Sequence, residues 1–417
     1  MTADGMGGAS AHLMPLPMAV GMAAAVLQMA GALKTATPLS ALPVDLTLIS
    51  LALLLPLLGL LAGLRRWVAA PALAVPLAAA TLLWLWLVVA GSWSASGRVM
   101  AEKLPEVALL APVMVLAGLV AGAEPDARRA LTGTTIAIGL VLAGGIGWRV
   151  LSGQELVDLA AGEPARLQYQ LAGLAMAAAA ALAAVRLVES RHVAARLLWT
   201  FAIVALAVAA LLPGGRTALV ALLVGVALAP ALRLRLLGGV SWAVAVMLAG
   251  LACAIWLALH PEQMEGLRTL ERLAGDTAGL EARRGLWSAA LDWADEAAPL
   301  GLGTGGFSIA AGHGERRGLY PHNHALEALA EAGLPGLLLW LLGFGGAALV
   351  LVRAGAVVGG ARQARIAAMV LPLALTVMVS TDLGNRMAWF GLGLALSLAL
   401  ESRPAGEPSA QGRARHV

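Results

Sequence analysis

The sequence predicts an all-α polytopic membrane protein with about twelve transmembrane helices. Of its 417 residues, 60% are hydrophobic and 12% are charged, a balance far from that of soluble globular domains. The apolar residues form continuous blocks of about 20 residues, the length that an α-helix needs to cross a bilayer. These blocks exclude a membrane β-barrel, whose strands alternate polar and apolar residues over about ten positions.

The apolar blocks follow one another along the chain, with short polar turns between most of them. An even number of spans places both chain ends on the same side of the membrane. We expect transmembrane helices near 13–33, 46–64, 68–90, 104–123, 130–150, 168–188, 195–213, 217–232, 237–259, 334–352, 366–383 and 387–401.

The charges in the turns predict the orientation. Alternate turns and the C-terminal tail hold fifteen Lys and Arg residues on one side, against seven in the short turns of the other. Positive residues concentrate on the cytoplasmic side, so we expect both termini to be cytoplasmic. The two lysines, Lys34 and Lys103, fall on the outer side, against this trend. The net charge of +4 therefore reflects membrane orientation, and no nucleic-acid partner is expected.

One polar insertion interrupts the pattern at 260–320, on the outer side, with nine acidic residues and six arginines. Apolar residues at helical spacing in 262–273 and 283–294 predict short interfacial helices. The glycine run at 301–306 predicts a flexible loop. The predicted organisation has four parts: helices one to nine in 1–259, an outer loop with a polar motif in 260–333, helices ten to twelve in 334–402, and a disordered tail in 403–417.

A polar motif directly precedes the tenth span. His322, His324, Glu327 and Glu331 lie within ten residues. Helical spacing predicts that His322 and the two carboxylates occupy adjacent faces of a helix entering the membrane from outside. Ionisable groups at membrane depth are costly and mark functional sites. The alternative is an ordinary interfacial helix start with its polar residues in water.

Outer arginines provide candidate anion ligands. Arg216 opens a span after a short Pro-Gly-Gly turn, and Arg283 and Arg284 begin a predicted interfacial helix. The guanidinium fork matches phosphate oxygens, and a helix N-terminus adds a favourable dipole. Contact with lipid headgroups is the alternative. Arg386, with Asp382 in the last outer turn, either borders a site or marks the membrane edge. Asp292, Asp295 and Glu296 could coordinate a divalent ion, but their spacing on an amphipathic helix favours a solvated face, so neither metal nor cofactor is expected.

These motifs resemble those of the O-antigen ligases of lipopolysaccharide synthesis and the related O-antigen polymerases. The shared signature has an Arg four residues before a Trp, a Pro-Leu-Gly-x-Gly-x-x-x-Phe loop, and His-Asn-x-x-Leu-Glu continued by Glu-x-Gly-x-x-Gly. In this chain the three parts are Arg283 to Trp287, Pro299 to Phe307, and His322 to Gly336.

The resemblance implies a metal-independent, inverting glycosyltransferase of the GT-C type in a bacterial inner membrane, with a periplasmic active site. It implies a polysaccharide on undecaprenyl diphosphate as donor and a sugar hydroxyl of lipid A-core as acceptor. His322 would be the catalytic histidine, and Arg216 and Arg283 would bind the diphosphate. The neighbouring Arg284 leaves the second arginine open.

His324 likewise leaves the choice of histidine open, and Glu327 and Arg386 are secondary candidates.

An O-antigen polymerase would use the same donor, but polymerases often carry a large mid-chain outer loop, and the outer turn at 213–216 is short. A lipid or solute transporter would place charged sites near the membrane midplane, whereas these spans are nearly free of charge.

Overall fold

The computed structural model describes residues 15–34, 45–153, 163–264, 266–275 and 278–404. From the first half of the chain it contains helices α1 (Pro15–Leu33), α2 (Leu46–Leu64), α3 (Ala74–Ala90), α4 (Gly97–Pro105), α5 (Ala111–Ala123), α6 (Pro125–Leu151), α7 (Glu163–Glu189), α8 (Val193–Leu211) and α9 (Arg216–Ala231). The later helices are α10 (Leu236–Leu259), α11 (Arg268–Gly275), α12 (Ala278–Glu296), α13 (Phe307–Ala310), α14 (His324–Trp340), α15 (Gly346–Arg353), α16 (Gly355–Val358), α17 (Gly360–Val379) and α18 (Arg386–Leu396).

Short segments join or extend several of these helices. Two are π-helical, Glu106–Leu110 and Leu341–Gly345. Four are 3-10 helices, Pro71–Leu73, Gly91–Trp93, Pro261–Met264 and Ser397–Ala399. Strands β1 (Arg65–Ala69) and β2 (Leu400–Pro404) complete the described structure.

The helices confirm an all-α polytopic membrane protein. Within the described residues, ten helical runs are long and apolar enough to cross a membrane. Two shorter apolar helices, Arg216–Ala231 and Arg386–Ala399, coincide with the predicted eighth and twelfth spans. The longest run, His324–Arg353, joins α14, a π-helical segment and α15, and begins ten residues before the predicted span at 334.

Two elements far apart in sequence meet at one end of the bundle. β1 follows α2 directly, β2 follows the last apolar helix, and the strands pair antiparallel with Arg65 opposite Pro404. The ends of the second and twelfth spans therefore lie on the same side, as an even number of crossings between them requires. β2 also takes in Arg403 and Pro404, which the sequence assigns to the tail, whereas 405–417 lie outside the described residues.

Ion pairs at this same end gather the arginines of the predicted cytoplasmic turns. Glu189, at the end of α7, lies 2.7 Å from Arg365 and 3.8 Å from Arg233. Arg65 pairs with Glu124 at the start of α6 at 3.2 Å. We call this end the basic face and the opposite end, which carries His322, the site face.

The centre of the bundle is α7, in which every residue from 172 to 185 is buried. Its run of alanines lets neighbouring helices approach closely, the usual basis of helix packing in lipid. The crossing of α5 and α18 uses glycine for the same purpose. A Cβ on Gly118 would lie 2.4 Å from the Phe390 carbonyl oxygen. At the periphery, only Gly239 and Leu257 of α10 are buried, so this helix faces lipid.

The insertion on the site face folds over the ends of the spanning helices. It carries α11, α12 and α13, so the predicted short helices are present with different limits. The sequence predicts a flexible loop for the glycine run, but the structure packs this run against two backbone segments. A Cβ on Gly303 would lie 2.6 Å from the Ser94 nitrogen, and one on Gly301 would lie 2.5 Å from the Gly333 nitrogen.

Candidate active site

His322 occupies a turn directly before α14 rather than a position on the helix. Asn323 caps the helix, and its side-chain oxygen accepts hydrogen bonds from the backbone nitrogens of Ala325 and Leu326 at 3.0 and 3.1 Å. This cap ends the turn in which His322 has a φ of 54°, a left-handed value uncommon outside glycine. The interpretation that His322 shares a helix with the two glutamates was therefore wrong.

Two contacts fix the orientation of this turn. The indole nitrogen of Trp287, on α12, donates to the Pro321 carbonyl oxygen at 2.8 Å. The ring of His322 lies against that of Tyr320, with 4.1 Å between their centroids. The Tyr320 hydroxyl donates in turn to the Ser380 carbonyl oxygen at 3.1 Å. The His322 turn is thus held between α12 and the turn that follows α17.

Arg283 lies one helical turn before Trp287 on α12, so the same helix supports both the His322 turn and this arginine. Burial lowers the pKa of Arg283, and the positive charge of Arg216 lowers it further. The Arg283 charge also acts on His322. Arg216, Arg283 and His322, separated by up to about a hundred residues, therefore come into electrostatic contact at one face.

The turn that carries Arg216 is tied to the insertion. The backbone nitrogen of Gly214 donates to the hydroxyl of Thr269 on α11 at 3.2 Å, and Thr269 is fully buried. Arg216 is the first residue of α9, so its guanidinium belongs to a positive helix N-terminus. The insertion thereby brings together a cationic group of its own helix α12 and one at the start of α9, an arrangement suited to an anion.

The imidazole of His322 is kept neutral. Burial lowers its pKa to about 4, the charge of Arg283 acts in the same direction, and the Ser380 backbone and Asp382 oppose them. Among the described residues, its buried Nδ1 has no hydrogen-bond partner. A neutral imidazole can accept a proton from a hydroxyl group.

Acidic groups lie on the other side of Tyr320. Arg317 forms ion pairs with Glu106 and, at 3.7 Å, with Asp382. Burial, together with the charges of Asp382 and Glu327, raises the pKa of Tyr320, so its hydroxyl stays protonated. Arg283 and Asp382, which carry opposite charges, therefore both act on His322 and on Tyr320.

A comparison with known families finds a match over the part of the chain that carries these residues. Residues 201–341 match the family model described as O-Antigen ligase, a segment that contains Arg216, Arg283 and His322. The resemblance to the O-antigen ligase and polymerase superfamily is thereby confirmed. The helices make the chain a multi-pass membrane protein, and the matched family implies an enzyme of the glycosyl-transfer type. No curated protein matches the chain.

The other predicted site residues have different surroundings from these three. Arg284 is exposed on α12. His324 is fully buried with its ring edge-on to Phe344 at 5.9 Å. Glu327 is fully buried beneath the site, and Arg386 donates to the Thr47 hydroxyl at 3.1 Å. In the described part of the chain, no group of three or more His, Cys, Asp or Glu residues could hold a metal ion.

Sequence reasoning missed Tyr320, Ser380 and Arg317, and gave Asp382 a low rank. Tyr320 has one usable signal, because it directly precedes the Pro-His-Asn motif and is one of only two tyrosines in the sequence. Ser380 contributes a backbone carbonyl, which any residue could supply, so its type carries no signal.

Proposed function

We propose that this protein is an O-antigen ligase, which transfers a polysaccharide from undecaprenyl diphosphate to a sugar hydroxyl of lipid A-core. The observation that carries the proposal is the meeting of Arg216, Arg283 and His322 on one face of the bundle. We assign this face to the periplasm and both termini to the cytoplasm of the bacterial inner membrane, because the arginine-rich turns lie at the opposite end.

The proposed reaction is a single displacement with inversion. The acceptor hydroxyl oxygen attacks the anomeric carbon of the donor glycan, and the bond from that carbon to the diphosphate oxygen breaks. The hydroxyl proton passes to His322, the proposed general base, and undecaprenyl diphosphate leaves as an anion. The protein contributes chiefly by holding two lipid-anchored substrates in line.

Arg216 and Arg283 stabilise the departing diphosphate. Guanidinium groups bind phosphate oxygens with two parallel hydrogen bonds and stay charged at any physiological pH. The same diphosphate offsets the repulsion between the two arginines. It also reduces the effect of Arg283 on His322, so donor binding makes the imidazole a stronger base.

The short connection between α8 and α9 favours the ligase over the polymerase. α8 ends at Leu211 and α9 begins at Arg216, so the connection between these two helices is too short to form the large outer loop in which polymerases often carry arginines.

Parallel complementation tests this proposal. The gene is expressed in one bacterial strain that lacks its O-antigen ligase and in another that lacks its O-antigen polymerase. We expect polymer on lipid A-core in the first strain only, and none when His322 is replaced by Ala in a protein that still inserts. Rescue of the polymerase strain alone would make the proposed acceptor wrong. Normal capping by His322→Ala would remove the proposed base.

A further inference from the structure

A buried cluster of three charges lies beneath the site face. Lys103, near the start of the run Gly97–Ala123, donates hydrogen bonds to the carboxylates of Glu327 and Glu331 on α14. The exposed fraction of the side chains is 3% for Lys103, 0% for Glu327 and 3% for Glu331. Buried charges persist only when they are paired and hydrogen-bonded. Lys103 is therefore the counter-ion that keeps both carboxylates in place.

Each glutamate also holds the backbone of a different segment. Glu327 accepts a hydrogen bond from the Leu383 backbone nitrogen at 3.0 Å, in the turn after α17. Glu331 accepts one from the Gly305 backbone nitrogen at 2.9 Å, in the glycine run. One lysine thus orients two carboxylates, and these fix two loops that are about eighty residues apart in sequence.

The turn held by Glu327 contacts the residue that supports the imidazole of His322. Ser380, three residues before Leu383, accepts the hydrogen bond of the Tyr320 hydroxyl, and the Tyr320 ring lies against His322. Asp382, in the same turn, acts on His322 through its negative charge. A shift of this turn would therefore move both the support of the imidazole and the charge that favours its protonated form.

We propose that Lys103 is a positioning residue for glycan transfer, which acts on His322 through Glu327 and the turn at 380–385. This inference rests on the proposed function. Lys103 itself contacts neither substrate, because its side chain is almost completely enclosed. Arg216 and Arg283 are carried by α9 and α12, which supply no residue to the cluster, so we expect Lys103 to affect kcat rather than donor binding.

The first test compares Lys103→Met and Lys103→Arg with Lys34→Met. Lys34 is the only other lysine and lies on the same face, where it pairs with Asp45 at 2.8 Å with a third of its side chain exposed. With a short glycan on undecaprenyl diphosphate as donor, Lys103→Met should lower kcat about 100-fold, because small misplacements of catalytic groups have effects of this size. KM for the donor should change little, Lys103→Arg should recover part of kcat, and Lys34→Met should match the wild type.

A variant in which two charges are exchanged distinguishes a positioning role of Lys103 from a role in neutralising the buried glutamates. The double variant Lys103→Glu with Glu327→Lys keeps a lysine and a carboxylate in contact, so it retains the ion pair that insertion and folding require. A lysine at 327 has no acceptor for the Leu383 nitrogen, so the turn at 380–385 is released. We expect a stable protein with kcat as low as in Lys103→Met. A return of kcat to the wild-type value would overturn the proposal.

A second readout does not depend on glycan transfer. Diethyl pyrocarbonate acylates neutral imidazoles, and mass spectrometry of the purified full chain gives the rate at His322 relative to the exposed His192. Both Lys103→Met and the exchanged pair should change this ratio, whereas Lys34→Met should not. An unchanged ratio in both overturns the positioning role. Absence of transfer by the wild-type protein, with a changed ratio in the variants, would refute the proposed ligase activity alone.

Discussion

His322 combines a strained backbone, a partly buried ring and a neighbouring arginine. The left-handed conformation is costly for a residue with a side chain, and such strain persists where the surroundings enforce it. Here the Asn323 cap and the Trp287 contact supply that enforcement. The low pKa of the imidazole gives a direct test of the role proposed for it.

The pH dependence of transfer should differ between the free and donor-bound enzyme. A general base works only when neutral, so kcat/KM should fall as the pH drops through the pKa of His322 in the free enzyme, about 4. Bound diphosphate adds negative charge beside Arg283, which raises the pKa, so kcat should begin to fall at a higher pH. Rate measurements across the acid range, with saturating and limiting donor, test this. If kcat and kcat/KM fell over the same acid pH range, this prediction would be wrong.

Arg283 and Arg284 offer a matched pair of adjacent substitutions. Only Arg283 is partly buried and coupled to Arg216, whereas Arg284 is exposed. Arg283→Ala should lower kcat/KM for the donor by about 10²–10³, the usual effect of losing one group that stabilises developing charge. Arg284→Ala should have little effect. Equal losses in the two variants, measured with a lipid-diphosphate donor, would place the diphosphate elsewhere.

At the level of elements, the kink in α14 joins the helix to the glycine run. Gly333 has a φ of 66°, and the backbone nitrogens of Leu302 and Gly303 donate to the carbonyl oxygens of Ala330 and Glu331 at 2.9 and 2.8 Å. The helix kink and the loop therefore form one unit, which requires glycine at the point of closest contact.

Gly333→Ala should break this unit. A Cβ there would lie 2.0 Å from the Pro299 carbonyl oxygen, and the left-handed backbone adds strain of about 1–3 kcal/mol. We expect a clearly lower temperature of thermal unfolding in detergent, together with loss of transfer. Gly345→Ala is the control, because a Cβ at Gly345 meets nothing within 4 Å. Equal unfolding temperatures for the two variants would disprove the tight packing at Gly333.

For the whole molecule, the proposed orientation can be measured with a single-cysteine series. Cys253 is the only cysteine in the sequence and is exposed, so Cys253→Ser provides the background. A membrane-impermeant maleimide added to intact cells with a permeabilised outer membrane should label Arg284→Cys on the site face. It should label Arg191→Cys on the basic face only after the inner membrane is disrupted. The reverse pattern would place the site in the cytoplasm.

The limits of most spans could be predicted from the sequence, and the site residues only in part. Span limits follow from hydropathy, which is a property of each local stretch, and the spans from 46 to 64 and from 237 to 259 agree with α2 and α10 to within a residue. The sequence predicted a helix through the polar motif but began the tenth span only at 334, because hydropathy excludes Glu327 and Glu331. Their burial depends on Lys103, a partner more than two hundred residues away.

From the sequence alone it follows that the protein lies in a bilayer, in which order its spans come, and that the arginine-rich turns are separate from the polar motif. These properties depend on the free energy of transferring each residue from water to lipid, which is local to each stretch of sequence. Only the tertiary structure decided which charged groups meet. In the fold, Arg216 lies near Arg283, and His324 is buried. His322 lies in a turn between α12 and the segment that follows α17. Lys103, one of the two outer lysines, is the counter-ion of two glutamates. Such pairings arise from the packing of distant helices, which local composition does not encode.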